Sequence, residues 1–133
     1  MRKDAREVVF KVLYSELYTD FDRDLFLSLC NEQKLNAADA DFAEMLLSAI
    51  HDNKAFLDET ISSLAEKYKL ERVYYTDRCA LYIGLAEMTY FDDVPNVVAI
   101  DEAVNLCRLY STKVSTSFVN GIFAKYKTMI ENN

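Results

Sequence analysis

Glycine and proline are scarce in this chain of 133 residues, which contains two glycines and one proline. Proteins built from many short strands need these residues in their tight turns, so their scarcity argues against an all-β fold. Hydrophobic residues make up 51% of the chain, and a chain of this length can bury a core without disulfides. The composition therefore favours a single all-α domain over residues 1–133.

Cysteine is limited to Cys30, Cys79 and Cys107, which lie far apart and form no CxxC pair. Isolated thiols of this kind are typical of reduced, buried cysteines in a cytosolic protein. No apolar run follows the charged opening residues, and no stretch approaches the length of a membrane span. The sequence predicts a cytoplasmic protein that does not enter a membrane.

Histidine occurs once, at His51. A histidine cluster for zinc therefore cannot form, and nothing indicates a nucleophilic triad or a glycine-rich phosphate loop. The carboxylates from Asp20 to Asp24 resemble the start of a calcium loop, but the sixth position is Leu25 and not glycine. We expect no catalytic residue, no metal site and no cofactor, which favours a binding protein over an enzyme.

Basic residues are fewer than acidic ones, and the net charge is −7. A surface of that sign repels the phosphates of nucleic acids unless its bases are concentrated in one place. Residues 1–11 hold four bases and two acids, and residues 103–130 hold four bases and no acid. An RNA-binding face is therefore expected only if these two basic segments share one surface.

Apolar residues recur at spacings of three and four along most of the chain, and this spacing predicts helices. The expected helices span residues 3–18, residues 20–34, residues 39–68 as one long or kinked helix, residues 75–91, a segment opened by Pro95, and a last segment through residue 130. Ser115 is the expected N-cap of the last helix. The sequence predicts a compact bundle of six or seven helices.

Asn120-Gly121 is a strong hairpin signal when it stands between apolar residues. The neighbouring pairs Phe118-Val119 and Ile122-Phe123 do not alternate as strand residues would, and they continue a helical spacing. Gly121 is therefore placed inside the last helix, at a cost of about 1 kcal/mol relative to alanine. A glycine in that position predicts close packing against a neighbouring helix.

The run VPNVVAIDEAVNLCRLYSTKVSTSFVNGIFAK, residues 94–125, resembles the C-terminal signature of the NusB family of bacterial transcription antitermination factors. The opening RKDAREVVFKVLYS and the segment DRCALYIGLAEM are similar to the first and fourth helices of that family. The resemblance implies an all-α fold of two three-helix halves. It also implies a factor of transcription antitermination and termination that binds boxA-type single-stranded RNA in rRNA leader transcripts, together with the ribosomal protein NusE, in the transcription elongation complex.

Site residues follow from the same resemblance, position by position. It places Arg2, Lys3 and Arg6 on RNA phosphates, Phe118 near a base, and Glu87 where the family meets NusE. The positions that depart from the family pattern are Asp4, Ala86, Ser111 and Ser117. The alternative function is a NusB-like protein-interaction module, or a homodimer, with little RNA affinity.

Overall fold

Seven α-helices and one short 3-10 turn form the described part of the computed structural model, which comprises residues 1–66 and 69–132. The helices are α1 (Arg2–Ser15), α2 (Arg23–Glu32), α3 (Ala37–Asp52), α4 (Lys54–Ala65), α5 (Tyr75–Tyr90), α6 (Asn96–Tyr110) and α7 (Lys113–Glu131), and the turn spans Leu70–Arg72. Within those residues, no helix combines the length and the hydropathy that a membrane crossing requires. The prediction of an all-α bundle is confirmed.

Helix α5 is the centre of the bundle, and most of its side chains are buried. It packs against α1, α3, α4, α6 and α7, which explains why it carries apolar residues on nearly every side. Helices α1 to α3 form one three-helix half and α5 to α7 form the other, while α4 contacts both α5 and α7. The two-half arrangement brings α1 onto α6, and that contact positions the candidate site.

The segment predicted as one long or kinked helix over residues 39–68 is two helices that meet at Asn53. Helix α3 ends at Asp52 and α4 begins at Lys54, with Asn53 between them at φ −123° and ψ 22°. The Asn53 side chain donates to the carbonyl of Ala49 at 2.8 Å, as asparagine does where it competes with helical backbone bonds. The predicted end of that helix at Tyr68 lies outside the described residues.

The acidic run from Asp20 to Asp24 contains the N-cap of α2. The carboxylate of Asp22 caps α2 by accepting hydrogen bonds from the backbone N–H groups of Asp24 and Leu25, at 2.9 and 3.3 Å. Such a cap satisfies donors that the first turn of a helix leaves unpaired. This local role accounts for Asp22 in a pattern that resembles a metal loop.

The start of α7 differs from the expected one, because Thr112 and not Ser115 is the N-cap. The Thr112 hydroxyl accepts from the Ser115 backbone N–H at 3.1 Å. Ser115 is the third residue of the helix and is only 3% exposed. The prediction of Ser115 as the cap was wrong because Thr112 starts the helix one turn earlier.

Gly121 lies inside α7, as predicted, but the expected close packing against it was wrong. A Cβ placed on Gly121 would meet nothing within 4 Å. The close approach occurs instead at Gly84 of α5, where a Cβ would lie 2.3 Å from Cζ of Phe123 and 3.0 Å from Cβ of Ala103. Gly84 thus lets α6 and α7 approach the central helix.

Candidate nucleic-acid interface

A groove between α1 and α6 contains the first exposed basic side chain of the candidate interface. Lys3 lines this groove together with Asn105 and Leu109. Farther along α1, the ring of Phe10 stacks on Tyr110 with their centroids 4.8 Å apart. The N-terminal helix and the second half of α6 therefore form one continuous surface.

Lys11 lies farther along this surface, beside the same end of α6. It lines a shallow pocket with Phe10 and Tyr110, and its Nζ lies 3.5 Å from a carboxylate oxygen of Glu7. Glu7 also accepts from the Tyr110 hydroxyl at 3.1 Å. Lys11 thus contributes positive charge that is partly offset by Glu7.

A second groove lies where α6 ends and α7 begins. It is lined by Arg108, Lys113 and Ser117, among others. Arg108 donates to the side-chain oxygen of Asn105 at 2.8 Å, so this groove adjoins the one that contains Lys3. We call Lys3, Lys11, Arg108 and Lys113 the basic face.

Three members of the basic face carry charge that no described acid neutralises. Lys3, Arg108 and Lys113 are exposed, and none of them forms an ion pair with any carboxylate that the structure describes. Exposed ammonium groups without a carboxylate partner can interact with an incoming anion at little cost. Lys3 was identified from the sequence, whereas Lys113 entered there only through the count of bases.

The two basic segments of the sequence share this surface only in part. Lys125 forms an ion pair with Glu66 at 3.0 Å, and Lys127 forms one with Glu131, also at 3.0 Å. Lys125 additionally donates to the carbonyl of Leu64, near the end of α4. These two lysines bind acids of the chain itself and stand apart from the basic face.

Arg2 lies at the opposite edge of α1. Its Nη2 is 3.0 Å from Oδ2 of Asp93, and its guanidinium lies over the Phe42 ring, 4.3 Å from the centroid. The side chain is 45% exposed, so it keeps part of its surface available to a ligand. A phosphate contact by Arg2 would compete with Asp93.

Arg6 and Glu87 hold each other inside the protein. The guanidinium donates through Nε and Nη2 to the two carboxylate oxygens, at 2.8 and 2.7 Å, and the side chains are 5% and 0% exposed. Burial raises the pKa of Glu87 above its ordinary value, and Arg6 opposes that rise. The roles that the resemblance implies, Arg6 on RNA and Glu87 at NusE, stay predictions, and the burial of both groups means that a direct contact requires this pair to open.

Phe118 is half-buried and lines a pocket of about 240 Å³ between the segment before α5 and the first turns of α7. The other lining residues are Arg72, Val73, Tyr74, Asp77, Val114 and Ser115. Asp77 is 2% exposed, and sequence reasoning did not identify it. No sequence signal marks it, since an acid in the first turn of a helix ordinarily indicates only a favourable helix dipole.

Comparisons of the sequence and of the fold with known proteins identify the same family. A family model described as the NusB family matches residues 3–128. The transcription antitermination protein NusB of Clostridium perfringens is 34% identical over 132 residues, covering 96% of this chain and 98% of that one. The protein of the same name from Acetivibrio thermocellus is 32% identical over 125 residues, covering 93% and 86%.

Solved structures show the same similarity. The NusB structure of T. maritima superposes with a TM-score of 0.86 at 31% identity, covering 94% of this chain and 89% of that one. A crystal structure of antitermination factors NusB and NusE in complex with dsRNA superposes with a TM-score of 0.79 at 27% identity, covering 96% of each chain. The similarity therefore extends over nearly the whole bundle.

Proposed function

This chain belongs to the NusB family, and on that premise we propose that it is a transcription antitermination factor. As one domain over residues 1–133, it binds boxA-type single-stranded RNA of rRNA leader transcripts, together with NusE, in the transcription elongation complex. It acts by binding and not by catalysis, in the cytoplasm where bacterial transcription takes place. The observation that carries the proposal is the basic face on an otherwise acidic protein.

The basic face suits a phosphate backbone. Lys3 and Lys113 have no carboxylate partner in the part of the chain that the structure describes, so RNA need not displace an internal acid to reach them. Each phosphate that they neutralise releases a condensed counterion, which favours binding at low salt. The N-terminus of α7 lies beside Lys113 and adds its partial positive charge.

The net negative charge of the chain favours a basic partner protein. With a net charge of −7, the surface beyond the basic face repels an RNA that extends past it. NusE, as a ribosomal protein, is expected to be basic, so its binding offsets that repulsion and lengthens the positive surface. A crystal structure of antitermination factors NusB and NusE in complex with dsRNA, in which the matching chain has the same fold as this one, supports this pairing.

The test is a titration of boxA-type RNA at several salt concentrations, with and without saturating NusE. We expect the affinity to fall linearly with the logarithm of salt, and NusE to tighten it. RNA should then tighten NusE binding by the same factor, because the coupling is one free energy. RNA binding that is absent, or equal affinities with and without NusE, would contradict the proposal.

The alternative function, an interaction module or homodimer with little RNA affinity, is favoured by one observation. Five of the eight bases in the two basic segments form ion pairs with acids of the same chain: Arg2, Arg6, Lys11, Lys125 and Lys127. Sedimentation of the chain without RNA distinguishes the two functions. A stable dimer with no salt-dependent RNA affinity would favour the alternative.

A further inference from the structure

The guanidinium of Arg78, on α5, contains a donor without an acceptor. Its Nε is buried and has no hydrogen-bond partner, and it is the only buried side-chain nitrogen or oxygen of that kind in the part of the chain that the structure describes. The guanidinium lies over the Tyr75 ring, 5.0 Å from the centroid, and forms no ion pair with a described carboxylate. Since a buried donor without an acceptor is costly, Arg78 favours an acceptor supplied from outside the chain.

A second cation lies on the same side of α5. Lys54, the first residue of α4, has its Nζ 5.5 Å from the centroid of the Tyr82 ring. Tyr82 follows Arg78 by four residues, and side chains at that spacing are neighbours on one helix face. Burial raises the pKa of Cys79, and both cations oppose that rise, as expected if both lie near the thiol. Lys54 also forms no ion pair within residues 1–66 and 69–132.

Two acids near these cations already have partners. Asp58 of α4 accepts a hydrogen bond from the Tyr82 hydroxyl, and both carboxylate oxygens of Glu16 lie 2.9 Å from Nε2 of His51. Burial raises the pKa of Tyr75, and Glu16 and Asp58 raise it further, so their negative charge reaches this side of α5. A run of RNA phosphates would be repelled by these acids, whereas a single short carboxylate side chain can approach between them.

The arginine–carboxylate geometry that Arg78 lacks is present elsewhere in the protein. Arg6 donates through Nε and Nη2 to the two oxygens of Glu87, at 2.8 and 2.7 Å, and two-pronged pairs of this kind are the strong ones. Arg78 has the same two nitrogens and no carboxylate. Its Nε is enclosed, so the side chain must turn to present both nitrogens, and no hydrogen bond of Nε opposes that turn.

The position of Arg78 separates it from the junction of α6 and α7, where part of the basic face lies. Tyr75, whose ring it covers, donates to the carbonyl of Leu13 near the end of α1 at 3.4 Å, and Tyr82 donates to Asp58 of α4. Arg78 is therefore on the side of α5 that faces α4 and the end of α1. An RNA held at the junction of α6 and α7 lies on a different side of α5.

We propose that Arg78 and Lys54 bind one carboxylate side chain, an aspartate or a glutamate, of a partner protein. Arg78 supplies the two-pronged contact, and Lys54 supplies a second positive charge. Arginine and tyrosine are the residue types that contribute most to binding at protein interfaces, and Tyr75 and Tyr82 lie beside the two cations. The proposal requires no bound RNA, so it adds a second binding surface to the proposed function.

The experiment titrates a fluorescently labelled tetraglutamate peptide with the full chain at low salt, with tetraglutamine as the neutral comparison. We expect Arg78→Met to weaken tetraglutamate binding about tenfold, a difference of about 1.4 kcal/mol, and Lys54→Met to weaken it less. Affinity that is unchanged in Arg78→Met, or equal for tetraglutamate and tetraglutamine, would overturn the proposal.

The matched control is Lys3→Ala with Lys113→Ala, which removes charge from the basic face. It should keep the tetraglutamate affinity of the parent and bind hexauridylate more weakly, whereas Arg78→Met should do the opposite. If Arg78→Met lost affinity for hexauridylate as well, Arg78 would belong to the RNA phosphates and the proposal would be overturned. Failure of the parent to bind hexauridylate, even with NusE, would count against the proposed function alone.

Stability separates binding from a structural role. Arg78→Met keeps an unbranched side chain over Tyr75 and removes the unpaired Nε, so its melting temperature should equal or exceed that of the parent. A melting temperature well below the parent's would mean that the guanidinium stabilises the fold, and it would overturn the proposal. Sedimentation tests a different occupant, since parent dimers that dissociate in Arg78→Met would assign the carboxylate to a second copy of this chain instead of a separate partner.

A measurement on the parent needs no variant that must fold. The Nε–H group of Arg78 has its own signal in a nitrogen-15 NMR spectrum, and a new hydrogen bond to a carboxylate should shift that signal downfield. We expect a saturable shift with tetraglutamate and none with tetraglutamine. A signal that stays in place with both peptides would overturn the proposal.

Discussion

The guanidinium of Arg6 and the carboxylate of Glu87 form a two-pronged ion pair across 81 residues of sequence, and it connects α1 to the central helix. Nη1 of Arg6 also lies 3.8 Å from Glu102 of α6, and its guanidinium lies over the Phe42 ring of α3. One side chain of α1 therefore contacts three other helices. The pair fixes α1, and with it Lys3, against the central helix.

Removing one member of this pair should destabilise the protein far more than removing both. Glu87→Leu leaves a buried guanidinium without its main counter-charge, and Arg6→Met leaves a buried carboxylate, so each should lower the free energy of unfolding by about 3–5 kcal/mol. The double variant should cost less than either single change. Urea unfolding of the four proteins measures the coupling, and Glu102→Gln is the mild control. Additive single effects would contradict the assignment of a paired, buried interaction.

The two glycines should respond in opposite directions to alanine. Gly84→Ala brings a methyl group against Phe123, so we expect the free energy of unfolding to fall by about 1–3 kcal/mol from overpacking. Gly121→Ala meets open space and gains helix propensity, so we expect it to rise by up to about 1 kcal/mol. Thermal unfolding of both variants provides the comparison, each serving as the other's control. A stable Gly84→Ala protein would contradict the close contact with Phe123.

The spacing of apolar residues predicted the helices well, because this spacing depends only on residues that are close in the sequence. It could not predict which glycine would be crowded, since that depends on where Phe123 of another helix points. For the same reason it could not show that Arg6 and Glu87 are buried against each other, because their charges come together only in the fold. The break at Asn53 was predicted at most as a kink, because the apolar positions on its two sides remain in helical phase.

For the site, the sequence predicted that bases would be grouped at the two ends of the chain. The fold was needed to separate Lys113, which joins Lys3 on the basic face, from Lys125, which pairs with Glu66. Asp77 stayed hidden because a carboxylate in a first helical turn has an ordinary structural explanation. Its burial at the pocket of Phe118 is visible only in the fold.

The thiol of Cys79 should destabilise the folded protein at high pH. Burial raises its pKa from an ordinary 9.0 to about 12, so between these values the folded protein keeps a proton that the unfolded chain has lost. Unfolding is then favoured as pH rises, by at most about 1.4 kcal/mol per pH unit from this group. Denaturant unfolding from pH 8 to 11 should show a smaller decline for Cys79→Ala than for the parent.

The control for that experiment is the same substitution at the more exposed cysteine, Cys30→Ala. Cys30 is half-buried, unlike Cys79, although the sequence predicted buried thiols for all three cysteines. Burial raises the pKa of Cys30 as well, but its greater exposure predicts a weaker effect on alkaline stability. Curves for Cys79→Ala that run parallel to the parent would show that the thiol stays protonated in both states or in neither.

The basic face should determine the salt dependence of RNA binding. Lys3→Ala with Lys113→Ala removes two positive charges from the face, and each lost phosphate contact with single-stranded RNA should reduce the slope of log K against log salt by about 0.7. Neither lysine forms an ion pair with a carboxylate within the described ranges, so the melting temperature should hardly change.

Lys125→Ala with Lys127→Ala is the matched control, because it removes the same charge from lysines that bind Glu66 and Glu131. We expect its salt slope to equal that of the parent, since those lysines stand apart from the basic face. Equal losses of slope in the two double variants would mean that RNA responds to net charge alone. In that case the groove of Lys3 and Lys113 would have no special part in binding, and the interaction-module function would become the better account of the chain.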